Sequence, residues 1–109
     1  MSLLAIDILQ EAKLLLKQGW CQGAFARDSQ GNPVPVMDSS AVSFDAAGAI
    51  ARASISRNVR WQIAMVPFSE ALKESIPKWQ DHATLPEVLA CIDETIATLR
   101  ARGGFDFAG

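Results

Sequence analysis

Two amphipathic patterns, one near each end of the chain, constrain its fold most strongly. From Leu4 to Leu16, apolar residues recur every three or four positions, with charged and polar residues on the opposite side. The same spacing runs from Leu85 to Leu99. This second pattern begins with Thr84-Leu85-Pro86-Glu87, which matches a capping box with proline in the first turn. The sequence therefore predicts a mainly α fold with a helix near each end of the chain.

A short β-hairpin is predicted after the first helix. Its arms are residues 25–27 and 32–34, and its turn is Asp28-Ser29-Gln30-Gly31. Aspartate opens such a turn by bonding to nearby backbone, and glycine supplies the positive φ that closes it. Because Pro33 and Pro35 cannot donate a ladder hydrogen bond, the second arm is either an edge strand or an extended loop.

Glycines help to place the first two helices. Gly19 is predicted to be the left-handed residue just past the end of the first helix. The second helix is predicted over about 41 to 54, with its N-cap among residues 38–40. Gly48 lies inside that helix at a cost of about 1 kcal/mol relative to alanine. This cost indicates a tight crossing at which a methyl group would clash.

The segment 59–66 is ambiguous between a strand and a helix. Its apolar residues alternate, as in a strand, but only the proline-rich hairpin arm could pair with a strand there. A helix that begins near Asn58 and breaks or kinks at Pro67 is favoured. The predicted architecture is therefore a compact bundle of about four helices, with one short β-hairpin between the first and second helices.

Length and composition restrict the classes of function. A chain of 109 residues is expected to form one domain, with residues 1–3 a possible tag or disordered start and residues 103–109 a flexible or docked tail. The net charge is −2 and the basic residues are scattered, which argues against a nucleic-acid partner. No apolar run is long enough for a membrane span and no signal peptide is visible, so a cytoplasmic protein without a membrane partner is expected.

Cysteine and histidine usage argues against a metal site. Because no export signal is visible, Cys21 and Cys91 are expected to be reduced thiols. His82 is the single histidine, and neither CxxC nor HxxxH spacing occurs, so no metal site is predicted. There is no glycine-rich phosphate loop or catalytic signature, so no cofactor and no particular catalytic residue is predicted.

The segment before the last helix holds the first group of candidate site residues. Asp81 and His82 could act as an acid/base pair near a helix N-terminus, where the dipole favours an anion. In the alternative interpretation, Trp79 anchors the loop in the core and Asp81 bonds to backbone amides.

Two arginines and an aspartate are the remaining candidates for a ligand site or an interface. Arg27 in the hairpin could bind a carboxylate or phosphate, or it could simply pair with a neighbouring acid while Asp28 starts the turn. Asp45 and Arg52 are two helical turns apart on one face of the second helix, with Gly48 between them. They could frame a ligand pocket or an interface, or form structural ion pairs with other elements.

Motifs that contain glycine and tryptophan are spread along the chain: Gly19-Trp20, Gly23-Ala24-Phe25-Ala26-Arg27-Asp28, Gly31, Gly48-Ala49-Ile50-Ala51-Arg52-Ala53 and Trp79-Gln80-Asp81-His82. Together they resemble a family of small uncharacterised bacterial domains, often found in actinobacteria and phage-associated genes, over roughly residues 4–100. No activity is assigned to that family, so the resemblance implies an architecture and no chemistry. The family commonly has asparagine where this chain has Gln80, and often cysteine where it has Asp45.

The leading hypothesis is a non-enzymatic protein that works through binding, as a homo-oligomer or with a larger protein partner. It rests on the lack of a catalytic constellation, on the aromatic tail at residues 105–107, and on Ile6 and Leu14, which lie off the apolar stripe of the first helix. The alternative is a small-ligand binder or an enzyme. Its site would lie between the hairpin, the face of the second helix that carries Asp45 and Arg52, and the loop from Trp79 to His82.

Overall fold

The computed structural model describes residues 2–72 and 75–102, which contain five helices and two short strands. In chain order these elements are α1 (Ser2–Gln18), β1 (Ala26–Arg27), β2 (Ser43–Phe44), α2 (Ala46–Ser56), α3 (Gln62–Glu70), α4 (Ile76–Gln80) and α5 (Leu85–Ala101). The mainly helical fold, with an antiparallel pair of strands between the first two helices, is confirmed. The five-residue helix α4 was not predicted. The predicted tail at 103–109 lies outside the described residues.

Helix α1 lies at the centre of the fold, because it packs against α2, α3 and α5. Its stripe residues Ile8, Leu9 and Leu16 are fully buried and share one core with Ile50 of α2 and Ile92 of α5. Burying an aliphatic side chain of this size contributes about 1.5–3 kcal/mol. Contact between the helices is therefore the main source of stability. The two short strands add Ala26 and Phe44 to the same core.

The strands pair in a way that the sequence predicted only in part. The turn forms as expected, since the Asp28 carboxylate accepts hydrogen bonds from the N–H groups of Gln30 and Asn32, and Gly31 has a φ of 84°. The predicted second arm contributes a single bridge, between Arg27 and Pro33. The regular partner of β1 is β2, with Ala26 opposite Phe44. Because Pro33 and Pro35 cannot donate backbone hydrogen bonds, one edge of β1 lacks a regular strand partner. The segment just before α2 pairs with the other edge.

Helix α2 begins later than predicted. Its first residue is Ala46 and its N-cap is Asp45, not one of residues 38–40. The chain cannot be helical before this point because residues 43–44 are in β2. Asp38 caps a turn of its own, where its carboxylate accepts hydrogen bonds from the N–H and the hydroxyl of Ser40.

Residues 62–70 form a helix, which confirms the preference for helix over strand in this segment. Asn58 takes a positive φ of 57°, which a helix does not use, and the helix starts at Gln62, later than predicted. It also continues through Pro67 to Glu70, so the helix does not break at the proline, which was one of the two predicted outcomes. Phe68, fully buried, packs edge-on against Trp79 with ring centroids 5.8 Å apart. This contact holds the turn after the proline against the core, which offsets the hydrogen bond that proline cannot make.

Two glycines allow close approach of backbone. A Cβ at Gly48 would lie 1.9 Å from the carbonyl oxygen of Phe25, which confirms the predicted tight crossing. Gly19 was predicted to be left-handed, but the described glycines with positive φ are Gly23 and Gly31. Its role is instead steric, since a Cβ there would lie 2.1 Å from the carbonyl oxygen of Val42.

Helix α5 starts as the sequence predicts. The Thr84 hydroxyl accepts a hydrogen bond from the Glu87 N–H, and the Glu87 carboxylate accepts one from the Thr84 N–H. Among the described residues, no helix has the length and apolar character needed to cross a membrane.

Candidate functional site

The six candidate side chains do not gather at one place. Asp45 and Asp81 line one cleft of about 270 Å³, at the junction of the segment before β1, the start of α2 and the end of α4. We call it the acidic cleft, and its lining residues are Gly23, Ala24, Phe25, Asp45, Gln80 and Asp81. Trp79 and His82 line a second cleft, and Arg52 lines a third.

Asp45 reaches the acidic cleft because it is the N-cap of α2. Its extended backbone (φ −88°, ψ 179°) lets one carboxylate oxygen, Oδ1, accept a hydrogen bond of 2.7 Å from the N–H of Gly48. Its own N–H donates to the carbonyl oxygen of Phe25. Because Gly48 has no side chain, the segment at Phe25 lies directly over this helix start. Asp45 is thereby 3 % exposed.

Burial changes the acidity of this carboxyl group. The pKa of Asp45 is raised from 3.8 to about 6, chiefly by desolvation and to a smaller extent by the negative charge of Asp81, while the hydrogen bond from Gly48 opposes the rise. Near neutral pH the carboxyl is mostly ionised, so the acidic cleft carries a charge that is largely shielded from water. Groups of this kind are enriched at functional sites.

Asp81 supplies the second carboxylate of the acidic cleft. It is the C-cap of α4 and is exposed. Its negative charge contributes to the raised pKa of Asp45. The sequence singled out both residues, but it assigned them to different groups.

Two glutamines that sequence reasoning did not assign hold the acidic cleft together. The side-chain oxygen of Gln80, a residue 7 % exposed, accepts a hydrogen bond of 3.3 Å from the N–H of Ala47 at the start of α2. The side-chain amide of Gln22 donates to the carbonyl oxygens of Gln80 and Ala83, both at 2.9 Å. These bonds join the α4–α5 connection to α2 and to the segment before β1. An isolated glutamine gives no sequence signal for such a role.

Arg27 lies beside the rim of the acidic cleft. Its guanidinium donates to the carbonyl oxygens of Gly31 (2.8 Å) and Gln22 (3.1 Å). A Cβ on Gly23 would lie 3.2 Å from the same guanidinium. Arg27 therefore holds the hairpin turn and the preceding segment in place through their backbone.

Arg52 also binds backbone carbonyl oxygens, on another part of the surface. It donates to the carbonyl oxygens of Val36 (2.7 Å) and Asp38 (3.2 Å), and its guanidinium carbon lies 5.3 Å from the centre of the Phe44 ring. It secures the long segment that precedes β2. The structure therefore places Asp45 and Arg52 at different clefts.

Asp81 and His82 are neighbours in sequence but line different clefts. His82 and Trp79 line a cleft of about 450 Å³ together with Glu87 and Cys91. Burial raises the pKa of the Cys91 thiol, which disfavours the thiolate that a nucleophile needs. Among the described residues, no group of three or more histidine, cysteine, aspartate or glutamate side chains is placed to hold a metal ion.

Comparison with known proteins places the chain in a family. The model of a family of unknown function, DUF6197, matches residues 1–98. The chain belongs to this family. No curated protein matches the chain, and no solved structure does. The family gives the acidic cleft no assigned chemistry, so its function has to be inferred from the residues that line it.

Proposed function

We propose that this chain is a non-enzymatic binding protein and that the acidic cleft is its ligand site. The observation that carries the proposal is the Asp45 carboxyl, which is 3 % exposed and lines a cleft. A buried charge is expensive unless it is paired, so it is retained most readily where a ligand supplies the pairing.

The arrangement favours binding over catalysis. The acid/base pair suggested by Asp81 and His82 is divided between two clefts. Arg27 and Arg52 donate to backbone carbonyls, so they act in the fold and do not present a free guanidinium fork to an anion. General acid–base catalysis needs both partners within reach of one reacting group.

A ligand screen with a blocked variant tests the proposal. A library of small metabolites is screened against the full chain by ligand-observed NMR, and each hit is repeated with Ala24→Leu, which places extra carbon atoms in the acidic cleft. Ala97→Leu, at an exposed position of α5, is the matched control. We expect hits that Ala24→Leu abolishes and Ala97→Leu preserves. Hits that survive in both variants, or a screen without hits, would contradict the proposal.

The proposal also includes the cellular compartment of the protein and its association with a second copy of the chain. We propose a cytoplasmic protein, supported by the free thiols of Cys21 and Cys91. Self-association is supported by Leu3 and Leu14 of α1, which are 64 % and 61 % exposed. Ile6 gives it no support, because this side chain is 5 % exposed within the core of its own chain. Light scattering on the wild type and on Leu14→Glu measures the association directly, and an unchanged monomer mass in both would contradict it.

A further inference from the structure

The two walls of the acidic cleft are held in different ways. The wall that precedes β1 is joined to α2 by backbone, since the N–H of Asp45 donates to the carbonyl oxygen of Phe25. The same carbonyl oxygen lies directly over Gly48, and β1, the next element along the chain, pairs with β2. Movement of this wall would break strand pairing and disturb the first turn of α2.

The opposite wall consists of α4 and the turn to α5, residues 76–83, and we call it the α4 wall. It contributes Gln80 and Asp81 to the acidic cleft. Its backbone bonds are local, as when the N–H of Ala83 donates to the carbonyl oxygen of Trp79. Between described residues, no backbone–backbone hydrogen bond joins it to α1, α2 or the strands. Because a helix as short as α4 is not stable alone in water, the α4 wall depends on side-chain contacts with the rest of the protein.

The Gln22 side chain makes two of these contacts. Its amide donates to the carbonyl oxygens of Gln80 and Ala83, both at 2.9 Å, on either side of Asp81 in the sequence. Gln22 itself is exposed, so water can take its place at both carbonyl oxygens. A net hydrogen bond of this kind contributes little free energy, because the separated groups bond to water.

The other contacts of the α4 wall are also made by side chains. Gln80 accepts a hydrogen bond of 3.3 Å from the N–H of Ala47, which is longer than the usual range. The ring of Trp79, which is half-buried, packs edge-on against Phe68. Segments with few buried contacts open locally at a lower free energy than the whole protein unfolds. The α4 wall has this character, and the wall before β1 does not.

Access to Asp45 requires one of the walls to move. This residue is 3 % exposed, so little of its carboxyl can be reached while both walls are in place. We propose that the α4 wall opens and closes over Asp45 and that the Gln22 side chain holds it closed. The inference rests on the proposed function, in which a ligand contacts this carboxyl.

Hydrogen exchange in the full ¹⁵N-labelled chain, followed by NMR, measures the opening. The protection factors of the Trp79 and Ala83 amides report on the α4 wall, and that of the Asp45 amide reports on the opposite wall. We expect the protection of Trp79 and Ala83 to be at least about 100-fold lower than that of Asp45, because local opening precedes unfolding. Equal protection of the two walls would contradict the inference.

Variants test the part played by Gln22. Gln22→Met keeps an unbranched side chain of similar length but has no N–H to donate. We expect it to lower the protection of Trp79 and Ala83 by about tenfold and that of Asp45 by less than about threefold. Gln10→Met, at an exposed position of α1, is the matched control and should leave all three unchanged. An equal fall at all three amides would indicate general destabilisation and contradict the role of Gln22. If Gln22→Met fails to fold, Gln22→Glu removes the same donor.

Chemical labelling measures access to the Asp45 carboxyl. Carboxyl groups are coupled to glycine ethyl ester with a water-soluble carbodiimide, and the labelled peptides are quantified by mass spectrometry. Asp45 should be labelled about tenfold faster in Gln22→Met than in the wild type, in proportion to the open fraction. Asp7, exposed on α1, should be labelled equally in both. Equal labelling of Asp45 in the two proteins would overturn the inference.

These measurements need no ligand, so their outcome is separate from that of the metabolite screen. Opening of the α4 wall without any hit in the screen would reject the proposed function and leave the movement established. Hits that Ala24→Leu abolishes, in a protein whose α4 wall does not open, would support the proposed function and reject the inference. If the wall does not open and the screen has no hits, both are rejected.

Discussion

At the N-termini of α2 and α5, a side-chain oxygen of the N-cap residue accepts a hydrogen bond from the third helical residue. At α5 the two partners are exposed and reciprocal, since Thr84 accepts from Glu87 and Glu87 accepts from Thr84. At α2 the cap is Asp45, and the third residue, Gly48, has no side chain to return the bond. The α5 cap is complete within its own turn. The α2 cap leaves a buried carboxylate with spare acceptor capacity, and a cleft forms beside it.

The difference between the two helix starts follows from what lies over each of them. The first turn of α5 faces solvent, where Glu87 can bend back to the backbone. The first turn of α2 lies under the carbonyl of Phe25, so a side chain at its third position has no room. The cap of α5 therefore stabilises its helix at the surface, whereas the cap of α2 holds a carboxylate that is largely shielded from water, which costs some stability.

The third helical position should respond most strongly to substitution. By helix propensity alone, Gly48→Ala should stabilise α2 by about 1 kcal/mol. We expect a loss of about 3 kcal/mol instead, because the new Cβ would meet the backbone carbonyl of Phe25. Urea denaturation measures this change. Glu87→Ala, the matched position in α5, should lower the midpoint less, and a midpoint for Gly48→Ala at or above that of the wild type would refute the steric role.

Removing the charge at the α2 cap should stabilise the protein. Asp45→Asn retains an acceptor for Gly48, so near neutral pH we expect a gain of about 1–2 kcal/mol, after allowing for partial screening by solvent. The pKa of Asp45 is raised from 3.8 to about 6 by burial. Its contribution to stability is therefore fully present below pH 3.8 and is lost as the pH rises through about 6.

Thermal denaturation across this pH range is the measurement. The advantage of Asp45→Asn over the wild type should be greatest near neutral pH and should shrink as the pH falls through about 6 towards 3.8. Asp81→Asn should lower the pKa of Asp45 and thereby narrow the pH range over which the stability of the protein depends on Asp45. A pH-independent difference between variant and wild type would show that the charge of Asp45 is not the cause.

Removing the cap of α5 should lower the stability of the protein, and by less than Asp45→Asn raises it. Thr84→Ala should cost about 1 kcal/mol, as expected for loss of an N-cap hydroxyl. The same truncation at the other cap, Asp45→Ala, should change stability less, because the lost hydrogen bond is offset by the removal of a buried charge. Equal losses of stability in urea denaturation of the two variants would mean that the two caps contribute equally to stability.

The smallest expected effect is the acid response of the α5 cap. Hydrogen bonds from the N–H and hydroxyl of Thr84 lower the pKa of Glu87 below its ordinary value of 4.5. Its contribution is therefore present above pH 4.5 and is lost as the pH falls through the lowered value, the reverse of Asp45. Glu87→Gln should flatten the acid limb of the stability profile slightly. An unchanged acid limb would show that the carboxylate adds nothing to the cap.

The two helix starts also show which features of the fold can be predicted from nearby residues in the sequence. The α5 cap was predicted residue by residue, because all its parts lie within four positions of the sequence. The α2 cap was placed at residues 38–40, which also have suitable side chains, because nothing local reveals that residues 43–44 pair with β1. The choice between a break and a kink at Pro67 could not be made locally either, because the residue after the proline, Phe68, packs against the distant ring of Trp79.

The candidate site was predicted as a set of residues and not as an arrangement. Asp45 and Asp81 were both singled out, but their meeting at one cleft depends on hydrogen bonds from Gln22 to Gln80 and Ala83 that span about half of the chain. Arg27 and Arg52 have the chemistry of ligand-binding residues, and their carbonyl partners become visible only in three dimensions.

By itself, the sequence determined the helical class, the apolar faces of α1 and α5, the hairpin turn, the α5 cap and the tight crossing at Gly48, because these depend on side-chain periodicity and on contacts between near neighbours. The tertiary structure alone decided where α2 begins, which charges share a cleft and which are used to hold backbone. These features depend on how segments distant in sequence exclude water from one another. The Asp45 carboxyl, which would have an ordinary pKa in solvent, becomes a candidate binding group only because the fold shields most of it from water.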